Sequence, residues 1–278
     1  MSAYLNMKNP SKLSAPELVK PGAMALMMLA FGLNPHLAAA ADVPTAPVTI
    51  PSETDSAWKI STSAYVWATG LSGTLRTLPP LPAVHIDIGF KDVLKNLDVA
   101  FMGAAEARNG RIVLFSDVII SKISLGKSFT PAGYPASVKV GSTSLIGLAA
   151  AGYRIVDSAN FTLDGLVGLR GFSVNNKIQV QILPVALNYA KSQSWVDGVV
   201  GAKMRYNFTP NLYATAIGFV GGLSSKFEWD AFAGVGYQIS DKWNAFAGYR
   251  ALKVDYRRGN FVYNALQQGP ILGASYKF

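Results

Sequence analysis

"AFAGVGYQISDKWNAFAGYR", residues 231–250, carries the tetrapeptide Ala-Phe-Ala-Gly on both sides of Gln-Ile-Ser-Asp-Lys-Trp. Before the turn, Trp229, Ala231, Ala233, Val235, Tyr237 and Ile239 share one parity, and Glu228, Asp230, Phe232, Gly234, Gly236 and Gln238 the other. After it, Trp243, Ala245, Ala247, Tyr249 and Ala251 alternate with Asn244, Phe246, Gly248, Arg250 and Leu252. A period of two with the charge confined to one face describes a pair of β-strands joined by a tight turn at "SDK" (240–242).

The same pattern recurs along the chain in segments of about ten residues, the length a tilted strand needs to cross a bilayer. Tight connections at 108–111, 156–160, 208–211 and 240–242 alternate with long ones near 72–96, 124–137, 173–194, 221–227 and 256–264. Tyr153, Phe161, Tyr206, Phe208, Tyr237 and Trp243 gather beside the tight turns, the placement expected of an interfacial girdle of amphipathic rings. Spanning strands are therefore predicted at 58–70, 97–108, 111–123, 138–155, 160–172, 194–208, 211–221, 228–240, 242–255 and 265–278. The fold class is all-β, an antiparallel up-and-down transmembrane β-barrel of ten strands, with twelve or eight as alternative counts. "VHIDIGF" (84–90) is placed as a short strand in the first external loop, followed by a short helix at "KDVLKNL" (91–97).

The last segment, "GPILGASYKF", puts Leu272, Ala274, Tyr276 and Phe278 on one face and ends in phenylalanine. This ending resembles the C-terminal assembly signal of bacterial outer-membrane β-barrels, and "WNAFAGYRALKVDY" is similar to strands of small porin-like members. The resemblance assigns Tyr276 and Phe278 to recognition by the barrel assembly machinery. It also implies outer-membrane lipid and lipopolysaccharide as surroundings.

Composition agrees with that solvent. Half of the 278 residues are apolar and only 15% are charged, against roughly 25% in soluble domains. The absence of cysteine excludes disulfides and thiol chemistry. The first residues read as an export signal: Lys8, Lys12 and Lys20 precede the apolar "GAMALMMLAFGL" (22–33), and small residues lead to Asp42. Residues 1–41 are read as a cleaved signal peptide, with translation starting at Met1 or Met7. Residues 42–56 are read as a Pro/Ser/Thr-rich periplasmic segment, and 57–278 as the barrel. Removing 1–41 takes away those three lysines and Glu17, leaving 22 basic against 15 acidic residues, a formal +7. With no basic cluster interleaved with aromatics, nucleic acid is not an expected partner, and the charge suits an anionic membrane surface.

By parity, Lys59, Glu106, Asp117, Arg154, Asp164, Arg170, Asp197, Lys203, Arg205, Asp230 and Arg250 face the lumen. Charges of both signs in a narrow barrel are expected to pair, because an unpaired buried charge costs several kcal/mol. The inward glycines 234, 236 and 248 are expected to make room for long neighbours such as Arg250. One histidine, His85, remains beyond the leader, with Asp87 on the same parity and no evident nucleophile; this is too little for catalysis or a metal site. The expected function is a structural or porin-like barrel without enzymatic activity or cofactor, passing small hydrophilic solutes at most. The alternative is an interaction barrel that binds an unidentified ligand through its external loops. A membrane-embedded hydrolase is third. The expected site is the outer membrane of a Gram-negative bacterium.

Overall fold

The computed structural model describes residues 58–129, 136–182 and 185–278. The expectations for the signal peptide and the periplasmic segment lie outside these residues. Alternation produces the strands: β1 (Lys59–Trp67), β2 (Gly70–Arg76), β3 (Val84–Ile88), β4 (Leu97–Asn109), β5 (Ile112–Phe129), β6 (Ala136–Asp157), β7 (Phe161–Ile182), β8 (Val185–Asn207), β9 (Leu212–Gly221), β10 (Phe227–Gln238), β11 (Trp243–Arg258) and β12 (Phe261–Lys277). A short helix, α1 (Phe90–Lys95), follows β3, at the predicted place.

Ten of these strands close into a ring in the order β1-β4-β5-β6-β7-β8-β9-β10-β11-β12, sealed by antiparallel pairing of β12 with β1. Closure pairs the spanning strands around the ring, as a bilayer requires, with the β1–β4 seam the shortest, paired from Lys59↔Arg108 to Ala64↔Gly103. The four tight turns fall where the alternation places them, between β4 and β5, β6 and β7, β8 and β9, and β10 and β11. No helix among the described residues is long and apolar enough to cross a membrane.

Every ring strand exposes a large apolar side chain on the outside, among them Val66, Phe101, Ile112, Tyr153, Val167, Val200, Val220, Val235, Tyr249 and Leu272. So broad an apolar exterior belongs against lipid. Tyr153, Tyr206, Phe208, Tyr237 and Trp243 are exposed at the turn end, and Phe161 is half-buried there. Trp243, Tyr276 and Phe278 form a run of edge-on rings with centroids 5.0 Å apart.

The end opposite the tight turns differs from its predicted form. The long connections at 124–137, 173–194 and 256–264 are mostly strand: β5 to β8 continue well past the membrane, as do β11 and β12. On β5 the outer face carries Ile112, Leu114, Val118 and Ile120 with Ser116 among them, and becomes Lys122, Ser124 and Gly126 above. Register carries the change across the neighbouring strands, where Lys122 lies beside Thr143, Thr143 beside Asn175, Gly141 beside Lys177, and Lys139 beside Gln179.

The first strand is broken rather than simple. β1 and β2 both pair with β12, and between them the chain kinks at Ala68 and Thr69. A Cβ on Gly269 would stand 1.9 Å from the Ala68 carbonyl oxygen, so the kink requires glycine opposite it. Pairing of β1 with β4 ends at Ala64↔Gly103; beyond it β2 turns back through β3.

Candidate functional site

Alternation sends the charged parity inward and strand length sets the depth of each side chain, so the lumen is layered. At the centre, Arg250 on β11 joins three strands. Its Nε and Nη2 donate to the two carboxylate oxygens of Asp230 at 3.0 and 2.8 Å, and Nη2 also donates to Asp117 Oδ2 at 2.6 Å. Its Nη1 donates to the Tyr65 hydroxyl at 3.0 Å, and that hydroxyl donates to Asp117 Oδ1 at 2.5 Å. Arg170 on β7 donates to Asp230 Oδ2 at 2.8 Å and stands 3.8 Å from Glu228. β11 and β5 are four steps apart around the ring, through β12, β1 and β4, so these bonds cross the lumen.

Asp197 holds a different partner. Its Oδ1 accepts the backbone N–H groups of Leu223, Ser224 and Ser225 at 3.0, 2.8 and 2.7 Å, and its Oδ2 accepts the Ser225 hydroxyl. A carboxylate satisfied by converging backbone donors is strongly stabilised. The β9–β10 connection is thereby pinned to the inner wall. Asp197 and Glu228 are fully buried, and Arg170 is 1% exposed.

Above this layer the filling is aromatic. Trp195 on β8 is stacked between Phe172 (4.9 Å) and Tyr256 of β11 (4.1 Å), with Tyr263 and Phe261 against its edges. Tyr256, like Leu252 and Val254, is buried, and the stack also crosses the lumen.

Below the layer, towards the tight turns, Arg154 is bonded to Asp164 at 2.7 Å and to Asp157 at 3.4 Å, and Lys203 is paired with Glu106. Arg205 and Lys59 have no ion-pair partner among the described residues; Arg205 Nε donates to Asn207 Oδ1 at 2.9 Å, and its guanidinium covers the Tyr213 ring at 3.5 Å. The eleven charged residues expected at the lumen thus separate into a central layer (Asp117, Arg170, Asp197, Asp230, Arg250) and a turn-side group (Lys59, Glu106, Arg154, Asp164, Lys203, Arg205). Asp117, Asp230 and Arg250 of the first group and all but Asp164 of the second face one common cavity, which Arg170 and Asp197 do not line.

The glycines clear space for rings rather than for Arg250. A Cβ on Gly236 would lie 2.2 Å from the Tyr213 ring, on Gly248 2.7 Å from Phe232, and on Gly273 2.5 Å from Phe246. Parity alone indicates an inward glycine but not which neighbour leans over it. Tyr65, Glu228 and the Trp195 cluster were not singled out from sequence. Their inward parity was available; their height relative to one another was not. His85 and Asp87 are exposed on β3, paired to Thr74 and Ser72 of β2, and no metal-binding group of three or more ligands occurs among the described residues.

No family model and no curated protein sequence matches the chain. Among solved structures it is similar to the outer membrane protease OmpT of Escherichia coli, with a TM-score of 0.52, 7% identity, and coverage of 82% of this chain and 100% of that one. The translocator domain of the autotransporter NalP from Neisseria meningitidis gives a TM-score of 0.40 at 13% identity, over 80% of this chain and 88% of that domain. Ail, the attachment invasion locus protein of Yersinia pestis, gives 0.31 at 12%, over 80% and 98%. The fold is that of the bacterial outer-membrane β-barrels: ten antiparallel strands closed on themselves, with a two-stranded appendage.

Proposed function

We propose that this chain is a non-catalytic barrel of the outer membrane, exported through its N-terminal segment, that does not act as a general diffusion pore. The observation that carries this reading is the double closure of the lumen, by the Arg250–Asp117–Asp230 layer and by the Trp195–Tyr256 stack above it. Ten strands enclose far less space than the aqueous channels of sixteen-stranded porins, and here side chains meet from strands well separated around the ring. Permeation is then restricted to water and the smallest ions at most. Short turns face the periplasm in such barrels, so the aromatic layer lies on the external side. Absence of catalysis is supported by the exposure of His85 and Asp87 to solvent on β3, outside any enclosed pocket among the described residues.

Planar-bilayer recording on purified protein tests this reading. No stepwise conductance is expected from the unmodified chain. Large, weakly selective steps would overturn it. The second reading, a surface-interaction barrel, is favoured by one observation: the outer face of the β5–β7 extension presents Lys122, Lys139 and Lys177 among Ser, Thr, Asn and Gln, with Asp98 of β4 paired to Lys122 at its edge (3.8 Å). Such a face suits anionic partners such as the saccharide and phosphate groups of lipopolysaccharide. Binding of intact cells to a sulfated or phosphorylated polysaccharide, lost on replacing the three lysines with glutamine, distinguishes it.

A further inference from the structure

The turn-side end of the lumen is not filled. Below the ion-pair layer lies a cavity of about 720 Å3, within the roughly 300–1,000 Å3 range of small-molecule sites. Its side wall is largely apolar, with Phe115, Leu148, Ile217, Phe219, Phe232 and Phe246, while Tyr65, Asp117, Asp230 and Arg250 make its deep end polar and Asn244 adds a polar group to the lining. Phe115 stacks with Phe219 at 6.5 Å, and Phe232 meets Phe246 edge-on at 6.3 Å. The recesses at Gly248 and Gly273 take up parts of Phe232 and Phe246 that a Cβ would displace. Ser61, Ser63 and Ala104 add small side chains on the opposite wall.

The rim has the other character. Lys59, Arg108, Arg205, Lys242 and Lys277 line the mouth, and none is in an ion pair among the described residues. Arg108 and Lys277 have only neutral acceptors, the Gly110 carbonyl and Gln238 Oε1, both at 3.3 Å. Arg205 stands within electrostatic range of Arg154, Lys203 and Lys277, so like charges crowd together. The carboxylates at this level are Glu106, held by Lys203, Asp164 and Asp157, held by Arg154, Asp241 on the turn beside Lys277, and the main-chain carboxylate of Phe278. A ring of cations over low-dielectric walls focuses potential and draws anions to the mouth.

We propose that this cup binds a single-chain amphiphilic monoanion, entering from the turn side. Its apolar body lies among the phenylalanine rings, and its anionic head rests between Arg205 and Lys277 at the rim. The ion-pair layer closes the deep end, so the cup holds or exchanges its ligand on one side of the membrane and does not pass it through. A small inorganic anion would leave the apolar wall unused, and a neutral hydrocarbon would leave the cations unused.

The test uses the full barrel in zwitterionic nanodiscs, titrated calorimetrically with octanoate, 1-octanol, octylammonium and inorganic phosphate, with empty discs subtracted. One saturable octanoate site per chain is expected, at least about tenfold tighter than 1-octanol, since a charge-assisted contact distinguishes them. The double variant Arg205→Gln/Lys277→Gln should lose about tenfold or more in octanoate affinity, while Lys226→Gln, exposed in the β9–β10 connection, leaves it unchanged. Ser63→Trp should abolish binding by filling the chamber; Ala104→Phe serves if that variant does not fold, as judged by gel mobility before and after boiling. Equal binding of 1-octanol, equal binding of phosphate, or undiminished affinity in the double rim variant would each overturn the proposal.

Discussion

Arg250 bonds two carboxylates and a phenol at once; Asp230 has a second cation in Arg170 at 2.8 Å, whereas Asp117 is ion-paired, among the described residues, with Arg250 alone. Replacing Arg250 by methionine leaves Asp117 without its cation and Asp230 with Arg170 alone. Breaking a buried pair from one side costs about 3–5 kcal/mol. The variant Arg250→Met should therefore lower the barrel's resistance to urea by an amount in that range. Arg250→Met combined with Asp230→Asn should recover part of the loss, because residues sharing one network are not additive. Additivity within experimental error in that cycle would show that the pair is not coupled. Phe278 acts at the surface instead: its ring packs edge-on against Tyr276, and its backbone N–H donates to the Ile60 carbonyl at 3.0 Å. Deleting Phe278 removes one bond across the β1–β12 seam along with the terminal ring, and reduced amounts of folded barrel in isolated membranes are expected. Unchanged amounts would remove it from assembly.

At the scale of elements, the ten spanning strands were legible because lipid outside and charge inside impose a strict two-residue period, as at Trp229–Ile239. The extensions were harder to read. Above Ile120 the outer face turns polar while Val138, Val140, Ile178 and Val180 remain on the inner parity, so the strand continues although its solvent-facing residues read as loop. The β7–β8 extension leads to a sharp experiment, since the chain has no cysteine of its own. A cysteine introduced at Leu187, exposed on β8, should react with a membrane-impermeant maleimide on intact cells. One introduced at Thr209, in the β8–β9 turn, should react only after the outer membrane is permeabilised. The reverse pattern would invert the barrel and move the cup to the cell exterior.

For the molecule as a whole, closure of the ring predicts that unboiled protein migrates differently from boiled protein in a mild detergent gel. Identical migration, or a monodisperse form without detergent, would contradict a lipid-facing barrel. The layered lumen was only partly legible. Parity assigns a side chain to the inside, but whether Arg170 meets Asp230 or Asp197 depends on strand register and on the curvature of the closed sheet, and neither is encoded locally. Asp197, directly opposite Arg170 in the β7–β8 register, turns instead to the backbone of residues 223–225.

The joint between Tyr65, Asp117 and Arg250 also has a consequence for time. Tyr65 belongs to the first strand of the ring and Arg250 to the last hairpin, 185 positions away along the chain. Contacts of such sequence separation form late, after local hairpins have reduced the entropy of closing the loop. While the seam between β1 and β12 is open, the arginine and both aspartates can keep water around them; when it shuts, they must find one another or remain stranded in a dry interior. The joint therefore behaves as a clasp that rewards only the correctly registered ring. A chain whose first strand pairs with β12 two residues out of step would bury the same charges without their partners, and would reopen.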